Sequence, residues 1–469
     1  MKVFVFCVGG TGLRVMKSII MMAAAGADFK GYSIVPIIVD PHLELEERKN
    51  LQSLIEDYYK IHEISIKGTG MASQALNALD GFFGTPLLRL SDIDAQSNPT
   101  SDQSSYQRSF RQFMKLSDLD VNDPANYLVQ TLFSEKSLSD SLSVGFKGNP
   151  NVGTVVLGEQ LRGASWYDSF QRVFSAQEGD RIFIISSIFG GTGASGYPLI
   201  EKKIKEDTTH PGIQNALLGA VSVLPYFKLT DPDRSRSSID SANFITKTKA
   251  ALSYYEGSVK ADYFYYAGDH EMRANYENSE KDQKDKANFI ELVAASALLD
   301  FLKREKPTET QYMTRALKEN KDSLNLADLG DAYAPIVKDV LNLEMLRRLV
   351  VDLPEEKHYP LSQSLKLDSK FYNDNDFKSL KAFTDRFDLW LKELGSNNRS
   401  FSPLKSVSNN HLSDIVDGRT LEAKNITYYL LKMIESGSTI KAPDNDFRLR
   451  YLLDVSYKAI KEYTSKISK

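Results

Sequence analysis

Two short glycine-rich loops hold the residues best suited to chemistry. The first reads Gly9-Gly10-Thr11-Gly12, and the second Phe189-Gly190-Gly191-Thr192-Gly193-Ala194-Ser195-Gly196. Each follows an apolar run, Val3–Val8 or Ile182–Ile185. Each leads into a helix-like stretch: Leu13, Met16, Ile19, Ile20 and Ala23 share one face after the first loop, and Tyr197 to Lys205 follows the second. Strand, glycine loop, helix is the order an anion site needs. Glycine lets the backbone approach a phosphate, and the free N–H groups and dipole of the first helical turn favour negative charge.

Other chemistries find less support. The first loop alone also fits a dinucleotide-binding turn, with Gly10-x-Gly12 under a pyrophosphate and Asp40 on a ribose. A Rossmann-type NAD(P)-binding oxidoreductase is therefore a competing reading, disfavoured by the second loop. No Gly-x-x-x-x-Gly-Lys-Ser/Thr phosphate loop occurs. The histidines show no metal-ligand spacing, and with Cys7 as the one cysteine no metal site is expected. No Ser–His–Asp arrangement stands out.

The elements that must position the loops follow from hydrophobic pattern. Strands are expected at Val3–Val8, Ser33–Val39, Arg181–Ser187, Leu217–Leu224 and Tyr263–Tyr266, mostly as continuous apolar runs. That pattern belongs to a parallel sheet covered on both faces, so the class is α/β, doubly wound and mainly parallel. A polar stretch at about 68–142 reads as an insertion of short helices and loops. A central apolar helix is expected at 288–302, closing a nucleotide-binding domain at 1–303. Beyond it strand signals fade. Helices at Leu341–Val351, Phe377–Leu394, Leu421–Ile434 and Tyr451–Ile467 make 304–469 a mainly helical region.

Composition sets the outer bounds. At 469 residues, 42% hydrophobic and 26% charged, the chain has the make-up of a globular protein with large cores. Its net charge of −4 argues against a nucleic-acid or anionic-membrane partner. A lone cysteine, no secretory leader pattern and no bilayer-length apolar run lead to the expectation of a cytoplasmic protein.

Three segments, in chain order, resemble the tubulin/FtsZ superfamily of GTPases. They are the opening strand and glycine turn, Gly148-Asn149-Pro150 with Gly153 following, and Asp180 to Ile200 with its glycine signature and Pro198. The resemblance covers roughly residues 1–303, and departs where Phe189 replaces a glycine and Ala194-Ser195 replaces a hydroxyl residue and glycine. It implies GTP or GDP with Mg2+, and places Gly148 and Asn149 over the terminal phosphate. It implies that Asp40 approaches the nucleotide and its magnesium, and that Asn243 and Asn288 contact guanine, an amide being able both to donate and to accept. It also implies hydrolysis and head-to-tail self-association into filaments, with Asp328 or its neighbour Asp331 polarising water in the next subunit. Each of these side chains has a plainer role open to it, as strand-end residue or helix cap. A switch or scaffold that binds nucleotide without polymerising, with the helical C-terminal region as surface for an unknown protein partner, is the alternative.

Overall fold

The computed structural model describes residues 1–41, 46–66, 81–94, 96, 108–120, 122–142, 145–146, 148–230, 242–258, 260–272, 274–277, 286–316, 320–325, 328, 333–355, 367–402, 426–435 and 448–465. The main sheet has six parallel strands: β1 (Lys2–Val8), β2 (Ser33–Val39), β3 (Arg181–Ser187), β4 (Leu218–Val223), β5 (Tyr263–Gly268) and β6 (Gln311–Ala316). Their order is β2-β1-β3-β4-β5-β6. Residues 86–88 add a rudimentary strand outside β2: Ile34 N–H donates to Pro86 O at 2.8 Å, and Leu88 N–H to Ile34 O at 2.9 Å.

Helices cover both faces. The long ones are α1 (Gly9–Ala24), α2 (Glu46–Ile66), α3 (Pro150–Gln160), α4 (Ser165–Val173), α5 (Gly191–Lys205), α6 (Ala242–Ser258), α7 (Phe289–Phe301), α8 (Ala334–Glu355), α9 (Asn375–Gly395), α10 (Ile426–Glu435) and α11 (Arg448–Thr464). Phe4 and Phe6 of β1 meet Phe170 of α4 at 5.1 and 5.2 Å between ring centroids. On the opposite face Phe301 of α7 lies over Phe183 at 5.3 Å. It also fills the space above Gly219, where an added Cβ would sit 2.6 Å from its ring. With both faces covered, Val3 to Val8 are fully buried, which explains their unbroken apolar run.

After Leu302 the structure differs from expectation. Gln311–Ala316 forms β6 and pairs with β5 through six residues, so the main sheet runs past residue 303. This strand stands at the sheet edge and alternates half-buried with exposed residues. It therefore lacks the continuous apolar run that marks its neighbours. Two small parallel pairs, Phe227–Thr230 with Ala274–Glu277 and Ser323–Leu324 with Ser400–Phe401, also escaped the sequence pattern. Of the helices after β6, α8 packs on α1, α9 and α11 pack on α2, and α10 packs on α11; Phe383 of α9 meets Phe83 at 4.9 Å and Tyr58 of α2 at 6.3 Å. Within 68–142 the described residues form short helices, including Pro124–Leu132 and Glu135–Ser139, over a small core of their own with Phe110, Leu138 and Val156. No helix among the described residues is long and apolar enough to cross a membrane.

Candidate functional site

The strand order reverses between β1 and β3. From β1 the chain moves one way to β2, then returns to place β3 on the other side of β1. Open parallel sheets bind ligands in the crevice at the carboxyl ends of strands that flank such a point. Here both of those ends carry a glycine loop, because β1 runs into Gly9–Gly12 and β3 into Gly190–Gly193.

Close packing explains half of these residues. Gly9 has φ +71°, and a Cβ there would lie 3.2 Å from Thr192 Cβ and 3.3 Å from Gly193 N. At Gly12 it would lie 2.8 Å from the Cys7 carbonyl carbon, and at Gly193 2.5 Å from Ser187 O. The third loop leans on the second: a Cβ at Gly191 would meet Phe146 Cβ at 2.9 Å, Asn149 N at 3.1 Å and Gly148 N at 3.2 Å. The three loops are thus in direct contact. Gly10, Thr11, Gly190 and Thr192 stay half-buried, and they form the open side.

Two helices begin at this side without a cap. Neither Val8 before α1 nor Gly190 before α5 supplies a side-chain hydrogen bond, and neither first turn contains an acid. Their first turns lie against each other at Gly9, Thr192 and Gly193, and helix N-termini with free leading N–H groups and positive dipole ends favour phosphate. The hydroxyls of Thr11 and Thr192 have no partner among the described residues. Asn149 behaves differently: it caps α3, accepting from Val152 N–H at 3.4 Å and donating to Ser137 Oγ at 3.0 Å. Phe189, which stands in place of a glycine, is a buried anchor. Its ring lies 5.0 Å from Phe244, 5.3 Å from Phe227 and 6.2 Å from Tyr226.

The remaining sequence candidates scatter around the crevice. Asp40 follows β2, and its carbonyl accepts from Arg48 at 2.8 Å. Asn243 lies in the first turn of α6, one residue before Phe244, and its side chain lies outside the described residues. Asn288 is the N-cap of α7, 1% exposed. Its Oδ1 accepts from Ile290 N–H at 3.0 Å, and its own N–H donates to Glu291 at 3.1 Å. That reciprocal pair is a capping box, which accounts for an asparagine followed three residues later by glutamate. Glu291 is buried too, held by the Tyr226 hydroxyl at 2.8 Å and by Arg14 of α1 at 3.7 Å. Burial pushes its carboxyl above the usual range against these contacts.

Asp328 comes after β6, a strand three spacings from β3, about 14 Å across the sheet. Its carboxylate accepts from Asn325 N–H at 3.0 Å and pairs with Lys321. Burial would raise this carboxyl, but those hydrogen bonds outweigh it and hold the group below its ordinary value. Asp331 lies outside the described residues. No group of three or more His, Cys, Asp or Glu among the described residues is arranged to hold a metal.

Sequence reasoning missed two supports of the site. Lys247 of α6 donates to Gly148 O at 2.5 Å and ties the third loop to that helix. Ser195 Oγ donates to Gly191 O at 2.7 Å and braces the first turn of α5. Neither contact has a sequence signal, since the lysine acts across 99 residues and the serine inside a motif read for its glycines. No protein-family model matches the chain, and no curated protein matches it.

Proposed function

We propose that this chain binds a nucleotide, GTP or GDP with Mg2+, as a divergent protein of the tubulin/FtsZ type. One observation carries the phosphate part of the proposal: two uncapped helix N-termini meet at the β1/β3 switch point. Guanine rests on the family resemblance alone, and magnesium would arrive with the phosphates. Calorimetry with GTP, GDP, ATP, NAD and NADP tests the proposal. Tightest binding of a guanine nucleotide supports it. Preference for NAD or NADP would replace it with the Rossmann reading, and no binding of any of them would reject both.

Binding without turnover, as a switch or scaffold, is favoured over a shared hydrolytic site by Asp328, whose carboxylate is committed to Asn325 and Lys321. On this view Asp328→Ala lowers stability by about 1–2 kcal/mol in urea denaturation and leaves nucleotide affinity unchanged. A GTPase rate that rises with protein concentration and collapses in the same variant, together with light scattering on addition of GTP, would restore hydrolysis and filament assembly.

A further inference from the structure

A basic groove lies beside the crevice, on the face formed by α3 and α5. Two cavities of about 1080 and 820 Å3 meet there at Thr154, Leu199 and Lys202. Residues between Arg108 and Asp140 form one wall, and α6 closes one end with Lys247 and Tyr254. Among the lining side chains cations outnumber anions seven to three, on a chain whose net charge is −4. A concentration of one sign in a concave surface focuses the field and attracts the opposite charge.

Three lysines stand exposed along it: Lys115, Lys136 and Lys202. The side chains of Lys115 and Lys136 have no ion-pair partner among the described residues. Among the described residues Lys202 pairs with Glu206 alone, at 4.0 Å. Lys115 also sits at φ +52°, a left-handed backbone that side chains rarely adopt and that gathers at ligand sites. Between the charges the floor is apolar, with Phe113, Met114, Val155, Leu161 and Leu199.

The joined cavities exceed a drug-sized pocket, which spans about 300–1000 Å3. A groove of that size suits a segment of polymer. Nucleic acid fits poorly, because Arg108 already covers the Phe113 ring at 4.9 Å, a face on which a base would stack. A chain that mixes carboxylates with apolar side chains matches both the lysines and the floor. We propose that this groove docks an acidic, partly apolar peptide segment of a partner protein.

Fluorescence anisotropy tests this with a labelled peptide of about 20 residues built from Glu-Glu and Leu-Leu pairs. A lysine-for-glutamate copy of it and a single-stranded oligonucleotide serve as comparisons. The intact protein is expected to bind the glutamate peptide alone, and less tightly as salt rises. The triple variant Lys115→Glu, Lys136→Glu, Lys202→Glu should bind it about tenfold more weakly or worse. All three positions are exposed, so the fold should persist, which circular dichroism checks. If the triple variant misfolds, Lys136→Glu alone and the salt dependence of the parent decide. Unchanged affinity in a folded variant, tighter binding of the oligonucleotide, or no binding of the glutamate peptide by the parent would each overturn the proposal.

Discussion

Thr192→Glu separates the anion site from the packing around it, because the two predict effects of opposite sign. Thr192 is the second residue of α5, half-buried, with a hydroxyl that has no partner among the described residues. A carboxylate in the first turn of a helix is favoured by the dipole, by about 0.3–1 kcal/mol. The free protein should therefore be as stable as the parent or slightly more so. The same carboxylate would stand where a phosphate must sit. At about 4 Å and an effective dielectric constant near 20, each unit of phosphate charge would cost about 4 kcal/mol. Solvent and salt at the open side reduce that to about 2–4 kcal/mol, a loss of roughly 30- to 1000-fold in affinity. Calorimetry with GTP reads the affinity and urea denaturation the stability. Thr192→Gln, similar in size and neutral, should lose much less. A folded Thr192→Glu variant that binds GTP like the parent would refute a phosphate at these helix ends. Gly191→Val cannot make this distinction, since its side chain would strike Phe146 and the third loop whether or not a ligand binds there.

Glu201 is 3% exposed, and burial, partly offset by the Lys260 N–H, raises its carboxyl to about 6. The unfolded chain ionises first, so stability should fall as pH rises from about 4.5 to 6, by about 2 kcal/mol in all, and Glu201→Gln should flatten that part of the urea-denaturation profile. Phe189→Gly would supply the glycine of the signature that the second loop resembles, yet it should cost about 3–5 kcal/mol by emptying the nest formed by Tyr226, Phe227 and Phe244. Tighter nucleotide binding with unchanged stability would contradict that assignment. Asn288→Asp keeps an oxygen to cap α7, so both stability and any preference for GTP over ATP should survive; loss of that preference in calorimetry would show that the amide reads the base.

What was legible in the sequence follows from what was buried on both sides. β1, β2 and β3 read as apolar runs because each is covered by helices above and below, and the loops stood out because three glycines cluster in each, at 9, 10 and 12 and at 190, 191 and 193. β6 did not, because an edge strand half in solvent carries Gln311, Thr314 and Arg315 as readily as Met313. The capping box at Asn288 and Glu291 is written in the sequence in full, and a helix cap stands there as the plainer role beside the base-reading one that the resemblance implies. Contacts across the fold left no trace: nothing local marks Lys247 as the brace of Gly148, or Phe244 as the neighbour of Phe189.

The loop glycines show why motif and function are one step apart. Gly9, Gly12, Gly191 and Gly193 are required by neighbouring protein atoms within about 3 Å of any added Cβ, so their presence testifies to three loops packed together. The proposed anion site rests on what that packing leaves open: the half-buried Gly10, Thr11 and Thr192, at two helix starts with no cap and no acid, beside Gly190, where a Cβ would meet Ser187 Oγ at 2.8 Å. Among the described residues α3 is capped by Asn149, α7 by Asn288 and α9 by Asp374, while α4 begins at Ala164 without a side-chain cap but with Asp168 in its first turn. Two adjacent helix starts with neither cap nor acid at the sheet's switch point leave their N–H groups to water or to a ligand. A phosphate satisfies both sets at once and is drawn there by both dipoles, whereas water gains nothing from the second helix. On the proposed reading the place of the phosphate is a property of the fold, whereas Asn288 at the start of α7 is spent on its own cap and would not choose the base.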